Sequence, residues 1–175
     1  MHVPGLYPFF RRHVQRGFGE QGLAQPALVD YVSELLARFA RVNALFPLHH
    51  TDGRPVETIA GLLMAAQAGD TATAKHVHAR ETMVLHHLAD YALFMSGVFR
   101  DRLRCRGQIN YYRDHGQGAF ARCARLEPNR QRASVFERMS HDFEPISNAL
   151  DRLWHRRLPL APNAEHSPLA ALWRA

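Results

Sequence analysis

The segment TATAKHVHARETMVLHHLADYALFMSGVF, residues 71 to 99, is the longest unbroken helical pattern in the chain. Its apolar residues recur with the period of an α-helix and form one stripe, which consists of Val77, Val84, Leu88, Tyr91, Met95 and Val98. After Thr82 the neighbouring face is largely apolar as well. Because a helix that is apolar on most sides must be covered on most sides, this segment is predicted to be the central helix of the fold.

Four other segments carry the same periodicity. They cover residues 26–46, 51–69, about 109–126 and about 131–158. Pro145 is expected either to kink the last of these helices or to split it, with Asp142 capping the second part. No segment has the alternating pattern of a strand, so the predicted fold class is all-α, a bundle of about five main helices.

The two ends of the chain contrast with this middle part. Residues 1–25 and 159–175 contain most of the remaining prolines and glycines and show little periodicity. The predicted organisation is an irregular N-terminal segment, a helical bundle domain over residues 26–158, and an irregular C-terminal tail. A single domain agrees with the length of 175 residues, because compact domains commonly run to about 100–200 residues.

Cysteine usage and the N-terminal sequence bear on where the protein resides. Cys105 and Cys123 are too few for a disulfide framework, and their separation fits no zinc site. The N-terminal stretch places its arginines after its apolar patch and has no small-residue cleavage site, unlike a signal peptide. No apolar run approaches the roughly 18 residues that indicate a membrane span. The chain is therefore predicted to be soluble and cytoplasmic, with two free thiols and no membrane association.

The formal charge of +6 and the pI near 10.0 raise the question of nucleic-acid binding. Only Lys75 among the 22 basic residues is a lysine, and the chain is rich in alanine, which indicates codon bias across a genome. The densest basic segment, RDRLRCR at residues 100–106, is predicted to be an exposed loop. It is either a solvated connector or a site for acidic partners, and any nucleic-acid binding is expected to be independent of sequence.

The 12 histidines suggest metal binding, which the spacing does not support. Helical metal sites place ligands three or four residues apart, as in the Glu-x-x-His repeat of di-iron bundles. That motif is absent, and so is His-x-x-x-His. The remaining His and acid pairs, such as His86 with Asp90, are expected by chance in a chain with this many histidines. No metal site and no cofactor are predicted.

The pair His87 and Asp90 lies in the apolar half of the central helix and is the strongest candidate site. A buried carboxylate needs hydrogen-bonding or charged partners, since burying it alone is costly. The candidate partners are His87 itself, Tyr112, Arg113 and His115. Two interpretations stay open: a structural network that fixes the helix register, or a ligand or catalytic site. The predicted ligand-binding residues are His87, Asp90, Tyr112 and His115, and no catalytic residue is identified.

Other catalytic signatures are weak. The sequence has no G-x-S-x-G elbow, phosphate loop or dinucleotide fingerprint. Cys105 lies among arginines that could lower its thiol pKa, but the sequence places no histidine or acid beside it. Cys123 lies on an apolar stripe and is predicted to be a core residue.

Two short motifs carry a resemblance. Leu88, Asp90, Leu93, Phe94, Gly97 and Phe99 form the pattern L-x-D-x-x-L-F-x-x-G-x-F, and Tyr111, Tyr112, Gly116, Ala119 and Phe120 follow as YY-x-x-x-G-x-x-AF. This arrangement resembles an uncharacterised family of bacterial all-helical proteins, over about residues 26–158. The resemblance implies a bacterial origin and a pairing of the third and fourth predicted helices, and it implies no activity.

Two classes of function are consistent with these patterns. The absence of catalytic motifs favours a small regulatory or protein-interaction module. The buried ionisable cluster favours the alternative, a helical enzyme or a metal- or cofactor-binding protein with a pocket near Asp90. A homodimer is also predicted, because the terminal segments carry large aromatic residues that must cover a neighbouring chain or fold back over the bundle. These aromatics are Tyr7, Phe9, Phe10, Phe18 and Trp173.

Overall fold

The computed structural model describes residues 5–40, 58–67 and 74–157. Within these ranges the chain forms eight helices and no strand. They are α1 (Leu6–Gly19), α2 (Pro26–Phe39), α3 (Ile59–Gln67), α4 (Ala74–Val98), α5 (Arg100–Cys105), α6 (Ile109–Leu126), α7 (Arg130–His141) and α8 (Phe143–Arg157). The helices pack as a bundle, which confirms the predicted all-α fold class.

Helix α4 is the centre of the bundle, as its two apolar faces predict. It packs against α2, α3, α5, α6 and α8. Its second half is buried on nearly every side, from Val84 through Ala92 to Val98. The long apolar pattern therefore positions the other helices around a single core.

Two glycines allow the helices around α4 to approach closely. A Cβ atom at Gly97 would lie 2.6 Å from Cβ of Leu150 on α8. At Gly116 of α6 an added Cβ would collide with the ring of Phe143 and lie 3.0 Å from Cβ of Ala92 on α4. Both positions are glycine because the neighbouring side chains occupy the space that a Cβ atom would need.

The expectation of an irregular N-terminal segment does not hold for Leu6–Gly19, which form helix α1. Phe10, Val14 and Phe18 follow one another at one-turn spacing and are all buried. Pro8 lies in the first turn of the helix, where its missing N–H would have no helical partner. The helix packs on α2 and α8. The flanking prolines and glycines obscure this apolar stripe in the sequence.

The packing of α1 also bears on the predicted homodimer. Phe10 and Phe18 fold back into the core of their own chain, and Tyr7 donates a hydrogen bond to Asp30 over 3.2 Å. Among the terminal aromatics, Phe9 is 44% exposed, and Trp173 lies outside the described residues. The fold-back alternative thus accounts for most of the N-terminal aromatics, and the homodimer stays a prediction.

The basic segment at residues 100–106 is not the exposed loop that its charge suggests. Arg100–Cys105 form the short helix α5, in which Arg100 and Leu103 are buried. Leu103 supplies an apolar anchor, and Arg100 donates a hydrogen bond to Ser147 of α8 over 3.0 Å. Gly107 then ends the turn with a φ of 66°, a backbone conformation that favours glycine.

The last predicted helix, residues 131–158, is split at Asp142 into α7 and α8, which is one of the two outcomes expected from Pro145. Pro145 falls in the first turn of α8, where a helix does not need its N–H. The Asp142 carboxylate pairs with Arg138 and contacts Nδ1 of His141 at 2.6 Å. The predicted helix beyond residue 40, around residues 41–46, and the C-terminal tail lie outside the described residues.

None of the described helices combines the length and the apolar character needed to cross a membrane.

Candidate functional site

Asp90 is a buried carboxylate, as predicted, with only 2% of its surface exposed. The phenol of Tyr31 donates a hydrogen bond of 2.6 Å to Oδ1, and the guanidinium of Arg38 forms an ion pair with Oδ2. Tyr31 and Arg38 lie two turns apart on the same side of α2. The partners that bury this charge therefore come from the N-terminal part of the chain.

Burial and hydrogen bonding act in opposite directions on the acidity of Asp90. Burial raises the pKa of this carboxyl above its usual value, whereas the charge of Arg38 and the Tyr31 hydrogen bond lower it. Burial also raises the pKa of Tyr31 well above that of an exposed tyrosine, and the neighbouring Asp90 charge adds to this effect. Tyr31 is therefore a neutral hydrogen-bond donor at physiological pH.

Asp90 and its partners line a cavity of about 330 Å³ between α2, α4 and α7, called the inner cavity below. Its other lining residues are Ala27, Asp30, Glu34, Leu35, His86, Arg132, Val135 and Phe136. The cavity exists because α2 and α7 contact each other over only a short part of their lengths.

A larger, open groove of about 850 Å³ lies next to the inner cavity, between α2 and α7. It is lined by Gln25, Ala27, Leu28, Arg130, Gln131, Ser134, Val135, Glu137, Arg138 and His141. Ala27 and Val135 line both spaces, so the two are neighbours on the same face of the bundle. We call the inner cavity and this outer groove together the α2–α7 cleft.

The two arginines of the inner cavity each lie near a carboxylate and an aromatic ring. Arg38 pairs with Asp90, and its guanidinium carbon lies 5.3 Å from the ring centre of Phe39. Arg132 has its Nε 3.6 Å from a carboxylate oxygen of Glu127 and its guanidinium carbon 6.0 Å from the ring centre of Phe136. The contact with Asp90 orients the guanidinium of Arg38.

His86 belongs to the same cavity. Its ring meets Phe136 edge to face, with 4.6 Å between ring centres. Burial lowers its pKa below the ordinary histidine value, an effect that outweighs the opposing attraction of Asp90. The ring is therefore neutral at physiological pH and can donate or accept a hydrogen bond.

The acidic residues of the inner cavity differ in how they are paired. Asp30 accepts a hydrogen bond of 2.7 Å from Nε of Arg11, in addition to the one from Tyr7. Glu34 is exposed and forms no ion pair with any residue that the structure describes. Glu34 thus contributes the one unbalanced negative charge among the described lining residues of the inner cavity.

The other predicted site residues lie away from this cavity. His87 packs against the rings of Phe39 and Tyr91, with ring centres 5.7 and 6.2 Å apart. Tyr112 also packs against Tyr91, at 6.2 Å, and burial raises its pKa. His115 contacts the carbonyl oxygen of Tyr111 through Nδ1 at 2.9 Å.

His115 lines a separate cavity of about 300 Å³ with Leu85 and Leu88. Arg113, another expected partner of Asp90, pairs instead with Asp114 at 3.1 Å and with Glu144 at 3.6 Å. The observed partners Tyr31 and Arg38 are residues that the sequence patterns did not single out. His86 was noted with Asp90, but only as a pair expected by chance. The one available signal for His86 is its spacing of one helical turn from Asp90.

Within the described part of the chain, no group of three or more His, Cys, Asp and Glu side chains is placed to hold a metal ion. Comparisons with protein-family models, with curated proteins and with solved structures find no match to this chain.

Proposed function

We propose that the chain is a small protein-interaction module and that the α2–α7 cleft is its binding surface. The observation that carries this proposal is that the outer groove and the inner cavity lie side by side between α2 and α7 and share Ala27 and Val135 as lining residues. The outer groove has a volume of about 850 Å³ and the inner cavity one of about 330 Å³. Both volumes fall in the range of ligand sites, about 300–1,000 Å³. The open shape favours an elongated segment of a partner over a small molecule that must be enclosed.

The chemistry around Asp90 supports binding more than catalysis. Burial raises the pKa of the Cys123 thiol to about 12, with Asp90 contributing, so this thiol stays protonated. Tyr31 is also held as a neutral phenol. The Cys123 thiol and the Tyr31 phenol near Asp90 are therefore kept in their unreactive forms.

One observation favours the alternative function, an enzyme or a cofactor-binding protein. Asp90 is buried beside a cavity, and burial raises the pKa of its carboxyl. Such carboxyls serve as general acids or bases in many active sites. This alternative requires a ligand whose reacting atom reaches Asp90, and it predicts that Asp90→Asn binds that ligand without converting it.

Mapping of ligand contacts by NMR tests the proposed function. Small fragments and a pool of synthetic peptides are added to the isotope-labelled chain, and backbone amide shifts are followed. We expect saturable shifts concentrated on α2 and α7. Ala27→Trp places an indole in the cleft and should abolish them, because Ala27 lines both spaces and is exposed.

Ala60→Trp is the matched control, since Ala60 is an exposed helical alanine on α3, away from the lining of the cleft. Its binding should equal that of the original chain. Shifts that concentrate on other helices, or that survive Ala27→Trp, would contradict the proposal.

A further inference from the structure

We propose that the inner cavity is an anion subsite, in which a carboxylate or phosphate group of the ligand binds between Arg38 and Arg132 beside His86. This inference rests on the proposed function, because it assigns chemistry to the inner end of the same cleft. It concerns the group recognised, and the experiments below separate a free acid from an acidic group on a protein segment.

Arg38 is positioned to donate hydrogen bonds to an anion. Its Nη2 is bound to the buried Asp90, and its guanidinium lies beside Phe39, so the side chain is held at its far end. The side chain nevertheless remains 51% exposed, and it makes no other hydrogen bond to the described residues. Within the described part of the chain the other N–H groups of Arg38 meet no acceptor, and their orientation favours paired hydrogen bonds to a carboxylate or phosphate.

Arg132 provides the second positive charge from the opposite helix. Its side chain is 64% exposed, and Glu127, at 3.6 Å, is too distant for a short hydrogen bond. His86 adds a neutral ring on the α4 side of the cavity. Arg38 on α2, His86 on α4 and Arg132 on α7 thus bring hydrogen-bond donors from three helices to the inner cavity.

The carboxylates that line the inner cavity carry negative charge, which acts against the two arginines. Asp90 is neutralised by Arg38, and Asp30 is bound to Arg11. Glu34 alone faces the cavity without an ion pair among the described residues, and it disfavours an anion there. A cationic ligand would instead be attracted to Glu34. Replacing Glu34 therefore changes the affinity in opposite directions for the two kinds of ligand.

The first experiment measures binding of inorganic phosphate and of succinate to the full chain, against sodium chloride at equal ionic strength. The side-chain Nε–H signals of Arg38 and Arg132 and the thermal midpoint are followed. We expect saturable shifts of both arginine signals with phosphate and succinate and a rise in the thermal midpoint, with little change in chloride.

Three variants test the assignment of the charges. Arg132→Gln should weaken phosphate binding about tenfold, the effect of losing one charge-assisted hydrogen bond. Glu34→Gln should strengthen it severalfold. Arg125→Gln is the matched control, because Arg125 is exposed on α6 and does not line the cleft, and it should leave binding unchanged.

A second comparison identifies the source of the anion. A synthetic peptide that carries a phosphoserine is titrated into the original chain and into Ser134→Trp, which narrows only the outer groove. Weaker peptide binding with unchanged phosphate binding supports an acidic group on a protein segment. Phosphate binding without any peptide binding supports a free acid as the ligand. Both outcomes require the same anion subsite.

The inference is overturned if phosphate and succinate act no differently from chloride, or if Glu34→Gln weakens binding while Arg132→Gln does not. In that case, neutral fragments that bind the cleft of the original chain but not that of Ala27→Trp would still support the proposed function. If no probe perturbs α2 or α7, the proposed function fails as well.

Discussion

Helix α4 and the first residue of α5 bury two charges of opposite sign in different ways. Asp90 is 2% exposed, is paired with the opposite charge of Arg38, and lines a cavity. Arg100 is 6% exposed, donates to the Ser147 hydroxyl and more weakly to the Ser96 carbonyl, and forms no ion pair within the described ranges. Burial shifts the pKa of each group towards its neutral form, upwards for Asp90 and downwards for Arg100.

The difference between Asp90 and Arg100 distinguishes a candidate binding site from a structural contact. The charge of Asp90 positions another charged side chain, Arg38, which is half exposed and can bind further groups. Within the described ranges the hydrogen bonds of Arg100 go to neutral oxygens and join α5 to α8, so they end inside the protein. A buried charge is therefore informative about function when its counter-ion reaches solvent.

The largest expected effect tests what holds the Arg100 region together. Leu103 is 2% exposed and is the main apolar anchor of α5. We expect Leu103→Ala to lower the free energy of unfolding by about 3 kcal/mol, because it removes buried side-chain volume. Urea denaturation measures this change. A loss below about 0.5 kcal/mol, the usual effect of a surface substitution, would mean that the segment behaves as the solvated connector expected from its charge.

Asp90→Ala tests the paired charge. Removing the Asp90 carboxylate leaves the Tyr31 hydroxyl and the Nη2 group of Arg38 without their acceptor. Because Arg38 is half exposed and can be rehydrated, we expect a loss of about 2 kcal/mol in unfolding free energy, below that of a fully buried ion pair. Asp90→Asn retains an acceptor for Tyr31 and should lose less. Equal midpoints for Asp90→Ala and the original chain would show that the network contributes no stability.

Arg100→Met should cost less than either substitution. Methionine can fill part of the space of the arginine stem, and the Ser147 hydroxyl keeps its own hydrogen bond to the Glu144 carbonyl at 3.2 Å. Removing a buried charge whose hydrogen bonds within the described ranges go to neutral oxygens also removes its desolvation cost. We expect a change within about 1 kcal/mol by urea denaturation. A loss larger than that of Asp90→Ala would reverse the comparison between the two charges.

The smallest expected effect is a pH dependence at His86. Burial lowers the pKa of this ring from 6.5, so the unfolded chain binds the proton more tightly than the folded chain does. The contribution of His86 to stability is fully present above its pKa in the unfolded chain. It decreases as the pH falls below that pKa, towards the pKa of His86 in the folded chain. Urea midpoints from about pH 7.5 to about pH 5 should decrease more steeply for the original chain than for His86→Gln. Parallel curves would show that His86 does not contribute.

The sequence was most informative where a helix carries a strong pattern over many turns. The central helix was predicted from apolar residues on two faces of residues 71–99, and α6 begins and ends at the residues that its stripe indicates, Ile109 and Leu126. Helix α1 was not predicted, because its single stripe is short and lies among prolines and glycines. Helix α5 was not predicted either, because four arginines within residues 100–106 conceal the one apolar anchor, Leu103.

The candidate site was only half predictable for a different reason. Periodicity shows that Asp90 lies on a covered face of its helix, and hence that it needs partners. It does not show which helix covers that face, since the apolar stripes of α2 and α6 are equally suitable. The observed partners Tyr31 and Arg38 lie on α2, far away along the chain. Long-range packing, which a single sequence does not encode in a local pattern, decides between them.

The break at Asp142 has a consequence for how this protein can change during evolution. A continuous helix over residues 130–157 would tie one wall of the cleft to the centre of the bundle. Instead α7 packs mainly on α6, whereas α8 packs on α4 and α1. Substitutions on the exposed side of α7, where Arg130, Ser134 and Arg138 line the groove, can therefore accumulate without disturbing the packing of α8. Related chains should vary in ligand preference while they keep the same core.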